Sequence, residues 1–274
     1  MDRNIIMNRM KEHLIDVRAN GYQPLYLCLQ GSQNYNLDYE HSDIDTKAMV
    51  VPTLREVVLN NKPVSITHVM ENNEHCDLKD IRLMFNNFKK QNINFLEVLF
   101  SPYYWIDERY KKEFEQLRAH AEDIARYNEG AAVKCMLGMA REKYKAMEHP
   151  YPTLIDKTVP NGLLVTMNGG KTAVQSNCGK QLHHIVRLRE FMERYISGES
   201  FGDCLISKHR EYLIRLKKNE FPLKEARIIA ETELSKMEKA VNDFLLTKRT
   251  FNKDVDNFLT KWLVKLFTKI YCEK

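Results

Sequence analysis

Between Pro24 and Pro52 the chain carries a period that only a sheet can use. Pro24–Gln30 is a short apolar run, read as a buried strand, and Gly31-Ser32 breaks it. Residues 43–51 then alternate: Ile44, Ala48 and Val50 fall on one side, Asp43, Asp45 and Lys47 on the other, and Pro52 ends the run. A repeat of two belongs to a strand with one polar face. Helical signals surround this core. Ile6, Met10, Leu14 and Val17 recur at helical spacing until Gly21, which predicts a helix over 3–20. Further strands are expected at 64–70 and 74–78, and helices at 79–90 and 94–100, until Ser101-Pro102 interrupts.

Beyond Asp107 the pattern becomes long and helical, at about 108–148, 179–197, 207–218, 223–247 and 254–271. Only 150–177 departs from it, rich in Pro, Gly and Asn, with two short strands expected within 163–174 around an Asn-Gly turn. The expectation is an α+β chain: a small mixed sheet in a domain over 1–107, then a helical domain over 108–274. Charge follows the same division. Residues 1–107 hold 11 Lys/Arg against 14 Asp/Glu, a net of −3, and 108–274 hold 31 against 23, a net of +8. Such an excess fits a solvated helical surface, and it equally fits a face that meets phosphates.

No apolar run approaches the ~18 residues of a membrane-spanning helix. The first ten residues carry Asp2, Arg3, Asn4 and Arg9 in place of a signal peptide's apolar core. The six cysteines, at 28, 76, 135, 178, 204 and 272, form no C-x-x-C pair. They argue against a disulfide framework or a zinc site and for a reducing cytoplasm.

The chemistry concentrates where the two strands meet. Asp43 and Asp45, two residues apart on a strand, point to the same face, and hard oxygen pairs of this kind, with phosphate oxygens and water, are what Mg²⁺ takes. Gly31 lets a backbone approach a phosphate closely, and the Ser32 hydroxyl can hold its oxygens. Alone, each element has an ordinary reading, a solvated strand edge or a turn. The Gly-Ser pair stands eleven residues before the acid pair, on consecutive strands, and that combination is specific.

This arrangement resembles the signature of the DNA polymerase β-type nucleotidyltransferase superfamily, and within it the predicted nucleotidyltransferases found beside RNA ligases in phages and bacteria. Three further stretches are similar to that family. They are Asn92–Pro102, with its Leu96-Glu97 pair and Ile93 where proline is usual, the Lys180–Leu188 pattern, and the segment 219–226. The resemblance implies a third carboxylate on a neighbouring strand. In Glu74–Asp80, Cys76 and Leu78 would point inward and Asp77 outward, so Asp77 is the candidate and Glu74 the runner-up, with Asp80 read as the start of a helix. Lys180, His184 and Arg187, at i, i+4 and i+7, share one helix face that could neutralise a triphosphate or position a base, while His183 turns away.

What the resemblance implies is a Mg²⁺-dependent (or Mn²⁺-dependent) enzyme that moves a nucleoside monophosphate from an NTP, with ATP expected, to an acceptor hydroxyl. Asp43, Asp45 and Asp77 would hold the metals, and Gly31, Ser32, Lys180, His184 and Arg187 would bind the nucleotide. The expected acceptor is RNA, a tRNA-like or single-stranded end, as in RNA repair. The alternatives are a protein hydroxyl, as in antitoxin-type relatives, or a non-catalytic nucleic-acid-binding module of the same fold. Two lookalikes are rejected. Asn168–Thr172 resembles the end of a P-loop, but the earlier glycine would fall at Val165. The nine histidines show no zinc spacing, and His41 reads as an exposed loop residue.

Overall fold

Asp2 caps α1 (Arg3–Ala19) by accepting from the Asn4 N–H, and Ile6, Met10, Leu14 and Val17 form its buried face. That face lies on a five-stranded sheet in a computed structural model that describes residues 2–38, 42–70, 72–148, 178–218, 220–247 and 251–272. The strands are β1 (Pro24–Gln30), β2 (Asp45–Val50), β3 (Ser65–Val69), β4 (His75–Asp80) and β5 (Tyr104–Ile106). Their order is β3-β4-β2-β1-β5. Only β2 and β4 run parallel, and the crossover between them carries α2 (Leu54–Val58) and β3; the other neighbours pair antiparallel. The fold is the expected mixed sheet followed by helices.

Period two sorts the strands as anticipated: Leu27, Leu29, Ile44, Ala48, Val50, Cys76 and Leu78 join the α1 side in one apolar core. The opposite face is not the solvated one the alternation implied, because Lys47 and Met49 are 2% and 1% exposed. It is covered by later chain: α3 (Ile81–Lys89), α4 (Ile93–Leu96), a 3-10 turn at 97–99 and α5 (Lys111–Ala119). Tyr26 of β1 stacks on Phe114 of α5 at 5.4 Å between ring centroids and donates its hydroxyl to the Val98 carbonyl at 2.8 Å. α3 begins later than expected because β4 runs to Asp80, whose carboxylate caps it by accepting from the Arg82 N–H.

The expected helix over 108–148 is instead broken. After a 3-10 turn at 108–110 come α5, α6 (Ala121–Arg126), α7 (Glu129–Lys145) and a second 3-10 turn at 146–148. Tertiary contacts hold the interruptions. His120 stacks on Phe258, and at the second break the Tyr127 carbonyl accepts from Asn252 N–H while the Tyr127 hydroxyl donates to the Lys89 carbonyl. α8 (Cys178–Ile196), α9 (Phe201–Leu205), α10 (Arg210–Lys217), α11 (Leu223–Thr247) and α12 (Lys253–Tyr271) follow. The helix expected from 207 starts three residues late, because the Ser207 hydroxyl and the Lys208 N–H donate to the Glu190 carboxylate. The strands expected within 163–174 lie outside the described residues.

By compactness the chain forms two units. One takes Met1–Cys135, Gly198–Ile206 and Thr247–Lys274, so α5, α6, α9 and α12 belong with the sheet. The other takes Met136–Ser197 and Ser207–Leu246, built on the second half of α7 with α8, α10 and α11. Within the described residues no helix is long and apolar enough to cross a membrane.

Candidate active site

β1 ends at Gln30, and Gly31 turns the chain with φ +100°, a conformation that favours glycine. Ser32–Tyr35 then coil into a short 3-10 turn. Three bonds hold this turn, to β1, to Ser101 and to the segment that leads into β2. The Asn34 amide donates to the Leu29 carbonyl at 2.7 Å, Ser101 donates to Asn34 at 2.9 Å, and Gln33 donates to the Asp43 carbonyl at 2.6 Å. The Gly-Ser turn and the acid pair therefore meet at one end of the sheet, where Gln30 pairs directly with Asp45.

Asp43 is exposed and Asp45 half-buried at the head of β2. Asp45 Oδ1 accepts from the His75 backbone N–H at 2.9 Å. One strand further, Lys47 pairs with Asp77 in the parallel ladder, so Asp45, Lys47 and Asp77 share the face turned away from α1. Asp77 accepts from the Thr67 hydroxyl at 2.5 Å and lies 3.8 Å from the Lys79 ammonium. Glu74, the other candidate third acid, serves the opposite side. It is 8% exposed, ion-paired to Arg9 and within hydrogen-bond distance of His13 Nε2, both on α1. Among the described residues no three His, Cys, Asp or Glu side chains are gathered closely enough to hold a metal by themselves.

Behind the acids lies a buried polar network. The Lys47 ammonium donates to the Asn94 carbonyl at 2.6 Å and sits 4.6 Å over the Phe95 ring. Burial lowers its pKa, against the opposing pull of the Glu97 charge. Glu97, 3% exposed, accepts from the Tyr35 hydroxyl, which ties the Gly-Ser turn to the segment beneath it. Burial also pushes the Cys28 and Cys76 thiols up to about 12, leaving them inert. Lys47 was legible as a member of the Asp45 face by period two. No local signal marks Glu97 and Tyr35 as partners, because 62 residues separate them.

The remaining sequence candidates lie in the second unit, on α8. Lys180 is exposed, His184 half-buried and Arg187 buried. Burial holds the His184 imidazole well below its ordinary pKa, helped by the charges of His183, Arg187, Lys143 and Lys180. His183 does turn away, its Nδ1 lying 2.8 Å from the Leu213 carbonyl of α10. Leu182 and Val186 are buried. His41 lies outside the described residues.

A mixed sheet, with a Gly-Ser turn closing one strand and acids heading the next, defines a polymerase β-type nucleotidyltransferase domain. The chain belongs to the RlaP family, the RNA repair pathway DNA polymerase beta family, whose model matches residues 3–189. The match takes in the whole sheet and continues along α8 past Arg187. Comparison with curated proteins found no match.

Proposed function

We propose that the chain is a metal-dependent nucleotidyltransferase that moves the monophosphate of an NTP, ATP first among them, onto the 3′ hydroxyl of an RNA. The acceptor oxygen attacks the α-phosphorus, the α–β anhydride bond breaks, and pyrophosphate leaves as the hydroxyl proton passes to solvent. The observation that carries this reading is the ladder register, which pairs Asp45 with Gln30 at the end of β1 that leads into the Gly31-Ser32 turn and puts Asp77 on the same face of the sheet as Asp45.

Asp43, Asp45 and Asp77 would hold Mg²⁺ or Mn²⁺. The donor set fits: all are hard carboxylates, and a triphosphate adds the oxygens that three side chains lack. Bound there, the metal would neutralise charge on the attacking and leaving oxygens. Gly31 exposes backbone N–H groups to the phosphates, and Ser32 adds a hydroxyl. Glu97, Tyr35 and Lys47 keep the turn and the acid strand in fixed relation. In the second unit, Lys180, His184 and Arg187 are assigned to nucleotide binding, neutralising the triphosphate or positioning the base.

The +8 balance of 108–274 supports an RNA acceptor. Labelled NTPs are incubated with total RNA and with lysate protein, alongside a salt titration of RNA binding. RNA labelling is expected, with a log–log salt slope of roughly −2 to −3 for three or four phosphate contacts. Label on protein alone, with a flat salt response, would replace RNA with a protein hydroxyl. RNA binding without any label would leave a binding module.

A further inference from the structure

α1 buries a histidine on its apolar face: His13 is 0% exposed, among Met10, Leu14 and Val17. Both ring nitrogens are engaged there. Nδ1 lies 2.8 Å from the Thr46 hydroxyl of β2, and Nε2 lies 3.1 Å from the Glu74 carboxylate that precedes β4. A carboxylate only accepts, so Nε2–H donates to Glu74, and in the neutral ring Nδ1 accepts from the Thr46 hydroxyl. Thr46 is 1% exposed, and Arg9 also pairs with Glu74 at 3.3 Å. A leucine would fill this place in the core without buried polar groups to satisfy, so packing alone does not call for the histidine.

The two groups it holds flank the candidate metal acid. Thr46 follows Asp45, and Glu74 precedes His75, whose backbone N–H donates to Asp45 Oδ1 at 2.9 Å. Side chains alternate along a strand, so the ring grips β2 and β4 from the α1 side while Asp45 stands on the other face. Thr46 pairs with Cys76 in the parallel ladder, one rung beyond that contact. We infer that His13 is a positioning residue for metal binding at Asp45. By holding Thr46 and Glu74 it fixes the spacing of β2 and β4 at the rung where His75 aims the carboxylate. The inference rests on reading Asp45 as a metal ligand. Outer contacts of this kind set the direction of a ligand oxygen, and their loss typically weakens metal binding by about 10–100-fold.

Isothermal titration of the full chain tests this, with an ATP analogue whose α–β bridge resists hydrolysis, given as its Mn²⁺ complex or metal-free. His13→Leu and Thr46→Val should each weaken the Mn²⁺ complex by about tenfold and the metal-free analogue by less than about twofold. His13→Gln, whose amide can donate to Glu74 and accept from Thr46, should stay within about threefold of native for both. Hydrogen exchange gives a readout without metal. The His75 amide should exchange about tenfold faster in His13→Leu, with the Lys79 amide further along β4 unchanged. Thr46→Val keeps the side-chain shape, so it carries the test where His13→Leu fails to fold. If Asp45→Asn weakens the Mn²⁺ complex while His13→Leu and Thr46→Val bind it as tightly as native, the inference fails and Asp45 remains a metal ligand. If Asp45→Asn also binds the complex as native, the Asp45 reading fails and the inference with it. Equal weakening of both analogue forms, or equal acceleration of His75 and Lys79 exchange, would make His13 a core residue alone and overturn the inference.

Discussion

Asp45 and His75 meet twice: the His75 backbone N–H donates to Asp45 Oδ1 at 2.9 Å, and its ring Nδ1 lies 3.2 Å from the same oxygen. The carboxylate at the head of β2 is thus oriented by the first residue of β4, across the parallel pair. Its orientation is set by the ladder before any ligand arrives.

That contact makes Asp45→Asn a clean probe. The asparagine Oδ1 still accepts from the His75 N–H, so the strand pairing survives and only the charge is lost. Asp43→Asn removes an exposed charge with no structural bond from its side chain among the described contacts. Each variant should keep the native far-ultraviolet circular dichroism and lose nucleotidyl transfer by about a thousandfold, in the range for removal of transition-state charge stabilisation. Activity within about twofold of native in either variant would contradict a metal-binding role for that acid.

EDTA should stop turnover without unfolding the protein. The six cysteines form no disulfide, and among the described residues no three His, Cys, Asp or Glu side chains are gathered as a structural metal site would need, so chelation should leave the helices in place. Circular dichroism at 222 nm during chelation, followed by Mg²⁺ or Mn²⁺ restoration of transfer, measures both halves. Loss of helical signal on chelation would contradict the expectation.

Tyr35→Phe should destabilise the first unit by about 1–3 kcal/mol, the usual cost of removing a donor from a buried charged acceptor. Glu97 is that acceptor, at 3% exposure. Urea unfolding reads the stability, and the same variant should lose transfer activity through displacement of the Gly31-Ser32 turn. Stability and activity both at native levels would remove the turn-to-Glu97 bond from the account.

The pH response should show His183. Burial lowers its pKa from 6.5 to about 4, so the unfolded chain binds its proton more readily than the folded one. Its contribution is therefore complete above pH 6.5 and declines as pH falls from 6.5 towards about 4. His183→Asn, whose amide can replace the ring as donor to Leu213, should flatten this part of the stability curve in urea titrations between those limits. An unchanged slope would mean that another group carries it.

Local spacing made much of the first unit legible. Helical period placed α1 and its buried face, and period two put Asp45 on the side away from Ala48, while β2 begins at Asp45 and Asp43 stands ahead of it, outside the ladder. Both follow from backbone geometry within one element, which needs no partner. α11 was legible over its whole length, 223–247, because its apolar pattern runs uninterrupted. The helix expected over 108–148 was not, since its breaks are held by Phe258, Asn252 and Lys89, contributed by distant parts of the chain.

By itself, then, the sequence determined the strand–turn–strand carrying Gly31, Ser32, Asp43 and Asp45, because neighbouring residues set periodicity and breaks. The tertiary structure decided which acid accompanies them on that face. Glu74 and Asp77 are three residues apart and equally carboxylic, yet Glu74 is taken by His13 and Arg9, at 3.1 and 3.3 Å. Asp77 pairs in register with Lys47 on the other side. Lys47 likewise became a buried cation only when residues 94 and 95 covered it. The physical reason is common to all three: a side chain's direction is local, but what it meets depends on which strand or helix folding brings beside it.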